Sequence, residues 1–411
     1  MECSTFCGRC SSSKVGNEQP KVSYPPDISN GGNLLIFVNP NSGAGVGLKV
    51  FRSQVRELLE KRRIGYELIL TVIISGDGLV FEALNALALR EDNLLSTIPI
   101  AIIPCGSGNG LLASVCYARG LPLNMPLFLD TAINVLCSCN AISIPMNFIH
   151  VQTPVQHFGS FLSIGWGMLA DIDIESEKLR RLCGSNRFVF STIVRLLNIR
   201  TYCGTLSYLE APVESDEASH NPDICGQATV YNKVNRTSAA SPKTVDADIS
   251  LKGNSNNSML SGKAWTTNTD VCSLKEAVPS NWQVVKGDFV FVYAVSLSHI
   301  SNQGHYMPNA RHNLNRIWLT YALAQDIPRG HIHRRLDLLK FLKGIESGTH
   351  LEAEWCRTVP VTAFRLETNE DNARNNNLSN GRIVVDGEVI DCNRIQADVA
   401  SSKIFRVVTR Q

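Results

Sequence analysis

The sequence lacks any hydrophobic run long enough to cross a membrane. Its longest apolar stretches, such as "LLIFV", "IPIAIIP" and "FVFVYAVSL", fall well short of the ~20 residues that a membrane-spanning helix needs. It also lacks an apolar segment behind its polar start, "MECSTFCGRCSSSK", so no secretory signal peptide is predicted. The 13 cysteines are scattered and odd in number, which is typical of a reducing compartment. We therefore expect a cytoplasmic protein.

The sequence also has little net charge, only +2 over 411 residues. A balance this close to neutral creates no general attraction to polyanions, so nucleic acid is not an expected partner. Binding to an anionic lipid surface would have to come from a local patch. The hydrophobic fraction of 44% is typical of globular proteins with ordinary cores.

Composition and periodicity divide the chain into three regions. Residues 1–32 are polar and rich in Ser, Pro and Gly, which predicts a disordered N-terminus. In residues 33–142 short β-branched runs alternate with amphipathic stretches, which predicts a three-layer α/β domain with a parallel sheet. Residues 143–411 contain longer alternating strands, which predict a mainly antiparallel β-sandwich domain. A polar stretch at about 212–279 is predicted to be a disordered insertion in that domain.

Two strand-to-helix turns are rich in glycine. "FVNPNSGAGVG" follows the first predicted strand, and "IPCGSGNGLLAS" has the same strand, turn and helix order. Glycines at such turns let backbone N–H groups approach a phosphate at the positive end of a helix, although they also occur there for steric reasons. Two of them at the carboxyl edge of one parallel sheet predict a ligand crevice.

Asp77 lies between these turns in the chain, in "SGDGLVFE", flanked by Gly76 and Gly78. A carboxylate beside bound phosphates is unfavourable unless a metal ion or an incoming hydroxyl uses it. The alternative is that Asp77 caps the helix that follows.

Three further segments carry charge in a pattern. Asp171, Asp173 and Glu175 alternate in a strand-like segment, which predicts one acidic face or a solvated charged edge. "VVDGEV" predicts a hairpin turn at Asp386. "RFVFSTIVRLLNIR" combines apolar and arginine residues, so it is either a membrane-docking or lipid-gate helix or simply a core helix.

Taken in order, the motifs N-P-x-S-G-x-G, S-G-D-G-L-x-x-E-x-L-N, P-x-G-S-G-N, the block from Trp166 to Leu182, and V-D-G-E resemble the sphingosine kinases of the diacylglycerol-kinase-like lipid kinases. The resemblance covers about residues 33–210 and 279–410. It implies transfer of the γ-phosphate of ATP, with Mg²⁺, to the primary hydroxyl of a sphingoid base. Because Asp173 would prefer a cationic amine, a sphingoid base is expected over the alternatives, diacylglycerol and ceramide.

The resemblance also implies roles for individual residues. Asp77 matches the catalytic base, Ser163 a position in the lipid site, and Asp173 the carboxylate that meets the substrate's ammonium group. Ser75, Gly76 and Gly78 match further substrate-binding positions. The implied ATP-binding residues are Asn39, Pro40, Asn41, Thr71, Glu82, Gly106, Ser107, Gly108, Arg180, Arg187, Asp386, Gly387 and Glu388. Within this set the two arginines would neutralise the transferring phosphates, and the last three residues would reach the nucleotide and its metal.

The expected partners are ATP, sphingosine or a related sphingoid base, and a membrane surface to which the protein binds reversibly. A homodimer is a further candidate.

The chain departs from the family pattern directly after Thr71. There the family has a polar turn and a crossover helix, whereas this chain continues at once into Val72. A parallel crossover takes a dozen or more residues, so we infer an internal deletion that makes Leu68 to Ile74 one long strand or breaks the sheet. Asn41, Ala44 and Phe81 also differ from the family. These departures leave a second hypothesis open, a catalytically impaired protein that binds lipid or a partner.

Overall fold

A computed structural model describes most of the chain but not all of it. The described residues are 34–39, 42, 45–56, 70–136, 138, 140–183, 187–212, 265, 271–312, 314–328, 331–368 and 381–411. The predicted N-terminal region 1–32, most of the predicted insertion at 212–279, and the site candidates Pro40 and Asn41 lie outside them.

The described residues form strands and helices in alternation along the first part of the chain and mainly strands after it. The strands are β1 (Leu34–Val38), β2 (Leu70–Ser75), β3 (Ile100–Pro104), β4 (Ala141–Gln152), β5 (His157–Ser160), β6 (Ser163–Gly167), β7 (Tyr202–Glu210), β8 (Gln283–Val295), β9 (Ile317–Leu323), β10 (Arg357–Thr368), β11 (Ile383–Val385), β12 (Glu388–Ile390) and β13 (Arg394–Arg410). The helices are α1 (Val46–Val50, continued by a π-helical turn Phe51–Val55), α2 (Asp77–Ala88), α3 (Leu94–Thr97), α4 (Gly110–Ala118), α5 (Leu127–Leu136), α6 (Met168–Cys183), α7 (Arg187–Leu197) and α8 (His331–Gly344). Among the described residues no helix is both long and apolar enough to span a membrane.

The first three strands are parallel. β1 pairs with β2 from Leu34 opposite Leu70 onwards, and β2 pairs with β3 from Thr71 opposite Ile100. Every residue of β3 is buried, which is typical of a parallel strand covered on both faces. The predicted mixed α/β fold with parallel strands is thus confirmed.

β13 joins this parallel part to the antiparallel part. It lies parallel to β3 through Val407 opposite Ile100, and antiparallel to β4 and β10 along most of its length. The described strands therefore form one continuous sheet. The division into two domains near residue 142 stays a prediction. β13 belongs to the second predicted domain but pairs with β3 of the first, so the sheet is continuous between them.

The antiparallel strands bury side chains on both faces. On β8, Val292 and Ala294 belong to a core shared with β6, β7, β9, β10, β11 and β13. Phe291 and Val295 point the other way, into a cluster shared with α6, α7 and α8. We call this second cluster the helix-side core. The alternation follows directly from the two-residue period of a strand.

The described part of β2 runs from Leu70 to Ser75 as a paired strand. Thr71 is its second described residue and pairs with Leu35 and Ile100 on either side. Residues 57–69, where the earlier part of the predicted fused strand would lie, are outside the described residues. The placement of Thr71 matters for the site, because ligands of parallel sheets bind at the opposite end of the strands.

The strand prediction for the acidic segment was wrong. Asp171, Asp173 and Glu175 lie on α6, which begins immediately after Gly167, a glycine with φ of 85° that turns the chain out of β6. Alternating acids imitate a strand, but Asp171 and Glu175 are also four residues apart and so share one face of a helix. Asp173 lies on a different face.

Candidate active site

Two backbone turns pack against each other at the carboxyl ends of β2 and β3. The N–H of Asp77 donates to the carbonyl of Gly108 at 3.1 Å, and the N–H of Cys105 donates to the carbonyl of Ser75 at 3.1 Å. A β-carbon built on Gly106 would lie 2.3 Å from the Cα of Gly76. Only glycine permits this approach, so the predicted phosphate-style glycines also have a steric reason to be present.

The side chain of Asp77 is buried where α4 begins. Its carboxylate accepts hydrogen bonds from the N–H groups of Gly110 at 2.7 Å and Leu111 at 3.4 Å. Asp77 therefore caps α4, not the helix α2 that it starts itself. Burial raises the pKa of Asp77 to about 7, against the two hydrogen bonds, which lower it; the nearby Asp386 adds to the rise. A carboxyl group with this pKa exchanges its proton near neutral pH.

Asp386 is buried beside the segment that joins β5 to β6. Its carboxylate accepts hydrogen bonds from the Ser160 hydroxyl at 2.8 Å and from the N–H groups of Phe161, Leu162 and Ser163 at 2.9 to 3.0 Å. Burial raises its pKa to about 6, against those hydrogen bonds. The predicted hairpin is present, with φ of 49° at Asp386. Because four donors occupy the carboxylate, Asp386 holds the chain around Ser163 in place.

The residues predicted for the lipid headgroup gather around Ser163. Ser163 is buried at the start of β6 and hydrogen-bonds with the hydroxyl of Tyr293 on β8. Tyr293 also interacts electrostatically with Asp173 and Asp386, so the four groups share one site. Burial raises the pKa of Tyr293, which keeps its hydroxyl protonated. Sequence reasoning missed Tyr293, because nothing in "FVFVYAVSL" separates it from the core residues around it.

The first glycine-rich turn adjoins the same edge of the sheet. The N–H of Asn39 donates to the carbonyl of Ile74 at 3.2 Å, which places Asn39 one strand away from Asp77. The carbonyl of Asn39 in turn accepts a hydrogen bond from the N–H of Ser42. A β-carbon on Gly47 would lie 2.6 Å from the Asn39 carbonyl oxygen, so glycine is required for close packing here as well.

Known proteins match this chain along most of its length. A family model described as the diacylglycerol kinase catalytic domain matches residues 69–147. Sphingosine kinase 1 of Caenorhabditis elegans is 35% identical, with 90% of this chain and 80% of the relative covered. Sphingosine kinase 1 of Homo sapiens is 32% identical, with 91% and 90% covered. The chain belongs to the sphingosine kinase family.

A solved structure extends the similarity to the fold. A putative diacylglycerol kinase from Bacillus anthracis str. Sterne matches with a TM-score of 0.50 and 14% identity, over 92% of this chain and 97% of that chain. At this identity the likeness concerns the fold alone.

Two predicted nucleotide residues of the sphingosine kinase pattern are not brought to this edge. Thr71 is buried four residues before Ser75 on β2, which places it roughly 13 Å back along the strand. The internal deletion inferred after Thr71 predicts this placement, because without a crossover Thr71 becomes part of the next strand. Glu82 lies on the exposed side of α2, more than one turn beyond Asp77.

Ser107, Gly387 and Glu388 lie around the rim of the crevice. Ser107 is exposed at the tip of the second glycine turn, and Gly387 and Glu388 are exposed after Asp386. A β-carbon on Gly78 would lie 3.9 Å from a carboxylate oxygen of Glu388, so this hairpin faces the start of α2. Arg180 lies in the last turns of α6 and Arg187 begins α7.

A buried ion-pair cluster fixes α7 on α6. Arg195 forms ion pairs with Glu175 and with Asp171, the latter at 3.3 Å, and the Tyr202 hydroxyl donates to Asp171 at 2.6 Å. Arg200 approaches Asp171 at 4.0 Å from a more exposed position. Since these two helices carry Asp173 and both candidate arginines, we name this set of residues the helix brace.

Proposed function

We propose that the chain transfers the γ-phosphate of MgATP to the primary hydroxyl of sphingosine or a related sphingoid base, giving the base 1-phosphate and ADP. Membership of the sphingosine kinase family supports the reaction class. The observation that carries the assignment is the buried Asp77 carboxylate between two close-packed turns, with its pKa raised to about 7. A base tuned near neutral pH suits removal of a proton from an attacking hydroxyl.

In this proposal Asp77 accepts the proton of the lipid hydroxyl as that oxygen attacks the γ-phosphorus. The glycine turns that contain Gly76, Gly106 and Gly108 hold the phosphates through backbone N–H groups. Arg180 and Arg187 neutralise the charge on the transferring group. Positioning and charge neutralisation supply most of the acceleration in phosphoryl transfer, so no further chemical group is required.

Magnesium fits this site as part of MgATP. The described residues contain no group of three His, Cys, Asp or Glu side chains that would hold a metal alone. Mg²⁺ normally takes one or two carboxylates together with substrate phosphates and water. Glu388, whose carboxylate faces the start of α2, is the residue that would hold it, and bound Mg²⁺ neutralises phosphate charge.

The amine of the lipid is assigned to Asp173. This carboxylate is half-buried on α6 and interacts with Tyr293, which in turn contacts Ser163. An anionic group in this place favours a cationic sphingoid base over neutral diacylglycerol or ceramide. The helix-side core offers the apolar surroundings that the lipid chain needs.

The protein is further proposed to be cytoplasmic and to associate reversibly with membranes through α7. Ile193, Val194 and Leu197 are about half exposed or more, at 50%, 49% and 64%, while Arg195 and Leu196 are buried. The helix therefore contributes to the core with one face and presents apolar side chains on another, as interfacial helices do.

The test is transfer of labelled γ-phosphate from MgATP to sphingosine by the purified chain, with Asp77→Asn in parallel. Asparagine keeps the shape and one acceptor oxygen for the Gly110 N–H but cannot take the proton. We expect transfer by the wild type and at least about a thousandfold loss in the variant, with its circular dichroism unchanged. Transfer that survives in Asp77→Asn would refute the role of this base.

The placement of Thr71 favours a second candidate, a protein that binds the lipid but is impaired in catalysis. Thr71 lies far from the crevice edge, so one nucleotide contact implied by the family is lost. Retained sphingosine binding by folded protein that neither binds nor hydrolyses ATP would identify this alternative.

A further inference from the structure

A row of polar side chains crosses the helix-side core. Strand register places Tyr293, Thr320 and Thr358 side by side on β8, β9 and β10. Residues two positions away on the same strands, such as Phe291 and Ala322, are apolar members of the helix-side core. The polar row is therefore an interruption in an apolar layer.

The row begins at the proposed lipid headgroup site. The Tyr293 hydroxyl hydrogen-bonds with Ser163 and interacts with Asp173. Gly165 on β6 pairs with Tyr293, and a β-carbon there would lie 2.9 Å from the tyrosine ring. A glycine at this position thus makes room for the ring.

Two further polar side chains, Tyr306 and His350, adjoin the row at Tyr293. The Tyr306 ring is 5.0 Å from that of Tyr293 and 4.6 Å from that of His350, between ring centroids. Both residues are fully buried, and among the described residues neither the Tyr306 hydroxyl nor either His350 ring nitrogen has a hydrogen-bond partner. Thr320 approaches the hydroxyl, and the Gly344 carbonyl approaches the imidazole, without completing a bond.

Burial fixes the protonation of both groups. It raises the pKa of the Tyr306 phenol well above its usual value, so the hydroxyl stays a donor. It lowers the pKa of His350 to about 4, so the imidazole is neutral and offers one donor and one acceptor. Together they match a neutral hydroxyl group, which both donates and accepts.

Polar groups buried without partners cost folding free energy, and native proteins pair almost all of them. A purely apolar lipid chain would leave Tyr306 and His350 unpaired. The first three carbons of a sphingoid base bring one reacting hydroxyl, one amine and one further hydroxyl, which Asp77, Asp173 and the pair Ser163 and Tyr293 would take up. Tyr306 is the polar group next to Tyr293, because their ring centroids are 5.0 Å apart, so a hydroxyl on the following carbon is the substrate group that would come nearest to it.

We propose that this chain selects sphingoid bases with an additional hydroxyl on the fourth carbon, which Tyr306 recognises together with the polar row. The inference rests on the proposed function and deepens it, because it names the substrate class within the same site. A site that hydrogen-bonds a substrate hydroxyl discriminates strongly against the analogue that lacks it.

The test compares 4-hydroxysphinganine with sphinganine, which differ by that hydroxyl alone. We expect the wild type to show at least about a tenfold higher kcat/KM for 4-hydroxysphinganine. Tyr306→Phe removes only the phenolic oxygen, so it should lower the ratio of kcat/KM for 4-hydroxysphinganine to that for sphinganine about tenfold. The matched control is Tyr321→Phe, which removes a buried tyrosine hydroxyl from the opposite face of β9 and should leave the ratio unaltered.

The outcomes separate the two proposals. Turnover of both bases at equal kcat/KM, or a preference that Tyr306→Phe does not change, overturns the substrate selection and leaves the kinase assignment standing. If neither base is phosphorylated, the kinase assignment fails, and the selection is then decided by the dissociation constants of the two bases, measured calorimetrically. A tenfold lower Kd for 4-hydroxysphinganine that Tyr306→Phe abolishes supports it; equal affinities, or no binding, overturn it.

Discussion

The carboxylate of Asp77 is buried and yet has to lose its proton before it can act as a base. Its raised pKa of about 7 is a balance in which burial outweighs the hydrogen bonds from Gly110 and Leu111. The second carboxylate, Asp386, acts in the same direction as burial. The two buried acids are therefore coupled, and changes at one should alter the titration of the other.

The first prediction concerns the pH dependence of activity. Because Asp77 works in its ionised form, kcat/KM for sphingosine should fall about tenfold per pH unit below pH 7 and level off above it. The measurement is initial rate at subsaturating lipid between pH 5.5 and 8.5. A flat profile between pH 6 and 8 would contradict the role of Asp77.

The same pKa predicts a dependence of stability on pH. Between the unfolded pKa of 3.8 and the folded value of about 7, the unfolded state releases the Asp77 proton first, so the folded state loses stability as pH rises through this window. Above it the cost is about 4 kcal/mol. Asp77→Asn should therefore raise Tm at pH 8 and leave it nearly unchanged at pH 4, as measured by thermal denaturation.

The second prediction separates two roles for Asp386. If its carboxyl group holds the β5–β6 segment, Asp386→Asn leaves donors unpaired and should lower Tm at pH 5, below the pKa of about 6 above which ionisation of the buried carboxyl offsets this loss. The kcat/KM for lipid should drop at least about tenfold through Ser163, while KM for ATP changes less than about twofold. A large rise in KM for ATP at unchanged Tm would restore the nucleotide-binding role that the family pattern implies.

At the scale of elements, the helix brace carries the third prediction. Arg195→Met removes the cation that Asp171 and Glu175 share, and burial already raises the pKa of Asp171. Leaving buried carboxylates unpaired should cost about 3 to 5 kcal/mol. Denaturant unfolding measures this loss.

The matched control for Arg195 is Arg200→Met. Arg200 is 44% exposed and only approaches Asp171, so its loss should cost less than about 1 kcal/mol. Equal effects of the two substitutions would mean that the brace does not hold α7 on α6.

The sequence predicted those helices and strands that are marked by an apolar run and a neighbouring glycine turn. β1 and α4 have the bounds that their apolar runs and glycine turns indicate, Leu34–Val38 and Gly110–Ala118. β13 was missed, and α6 was taken for a strand. β13 alternates apolar and polar residues only in short pieces, and the alternating acids of α6 imitate a strand although Asp171 and Glu175 also share one face of a helix.

In the site, too, residues that belong to a local motif were predicted, and residues placed by long-range strand pairing were not. Asp77 and the glycine turns were predictable, because a motif places them at one edge of a parallel sheet. Tyr293 and the bracing contacts of Asp386 were not, because both depend on the pairing of β6 with β8 and β11, which are far apart in the sequence. Long-range strand pairing has no signature in a single sequence.

At the scale of the whole molecule, the internal deletion inferred after Thr71 leads to the fourth prediction. Inserting the crossover segment of a sphingosine kinase relative between Thr71 and Val72 should return Thr71 to the end of a strand. We expect KM for ATP to fall and Tm to rise, because a covering layer is restored over the sheet. Insertion of a flexible Gly-Ser segment of equal length is the control, and equal behaviour of both insertions would show that the deletion has no structural cost.

β13 also determines when the sheet can be completed during synthesis of the chain. Ile100 on β3 pairs with Val407, which the ribosome adds roughly 300 residues later. At synthesis rates of about 5 to 20 residues per second, the open edge of β3 waits about 15 to 60 s for its neighbour. During that interval the nascent chain presents a fully apolar strand to its surroundings, so its yield in a cell should depend on chaperones that occupy this edge until β13 arrives.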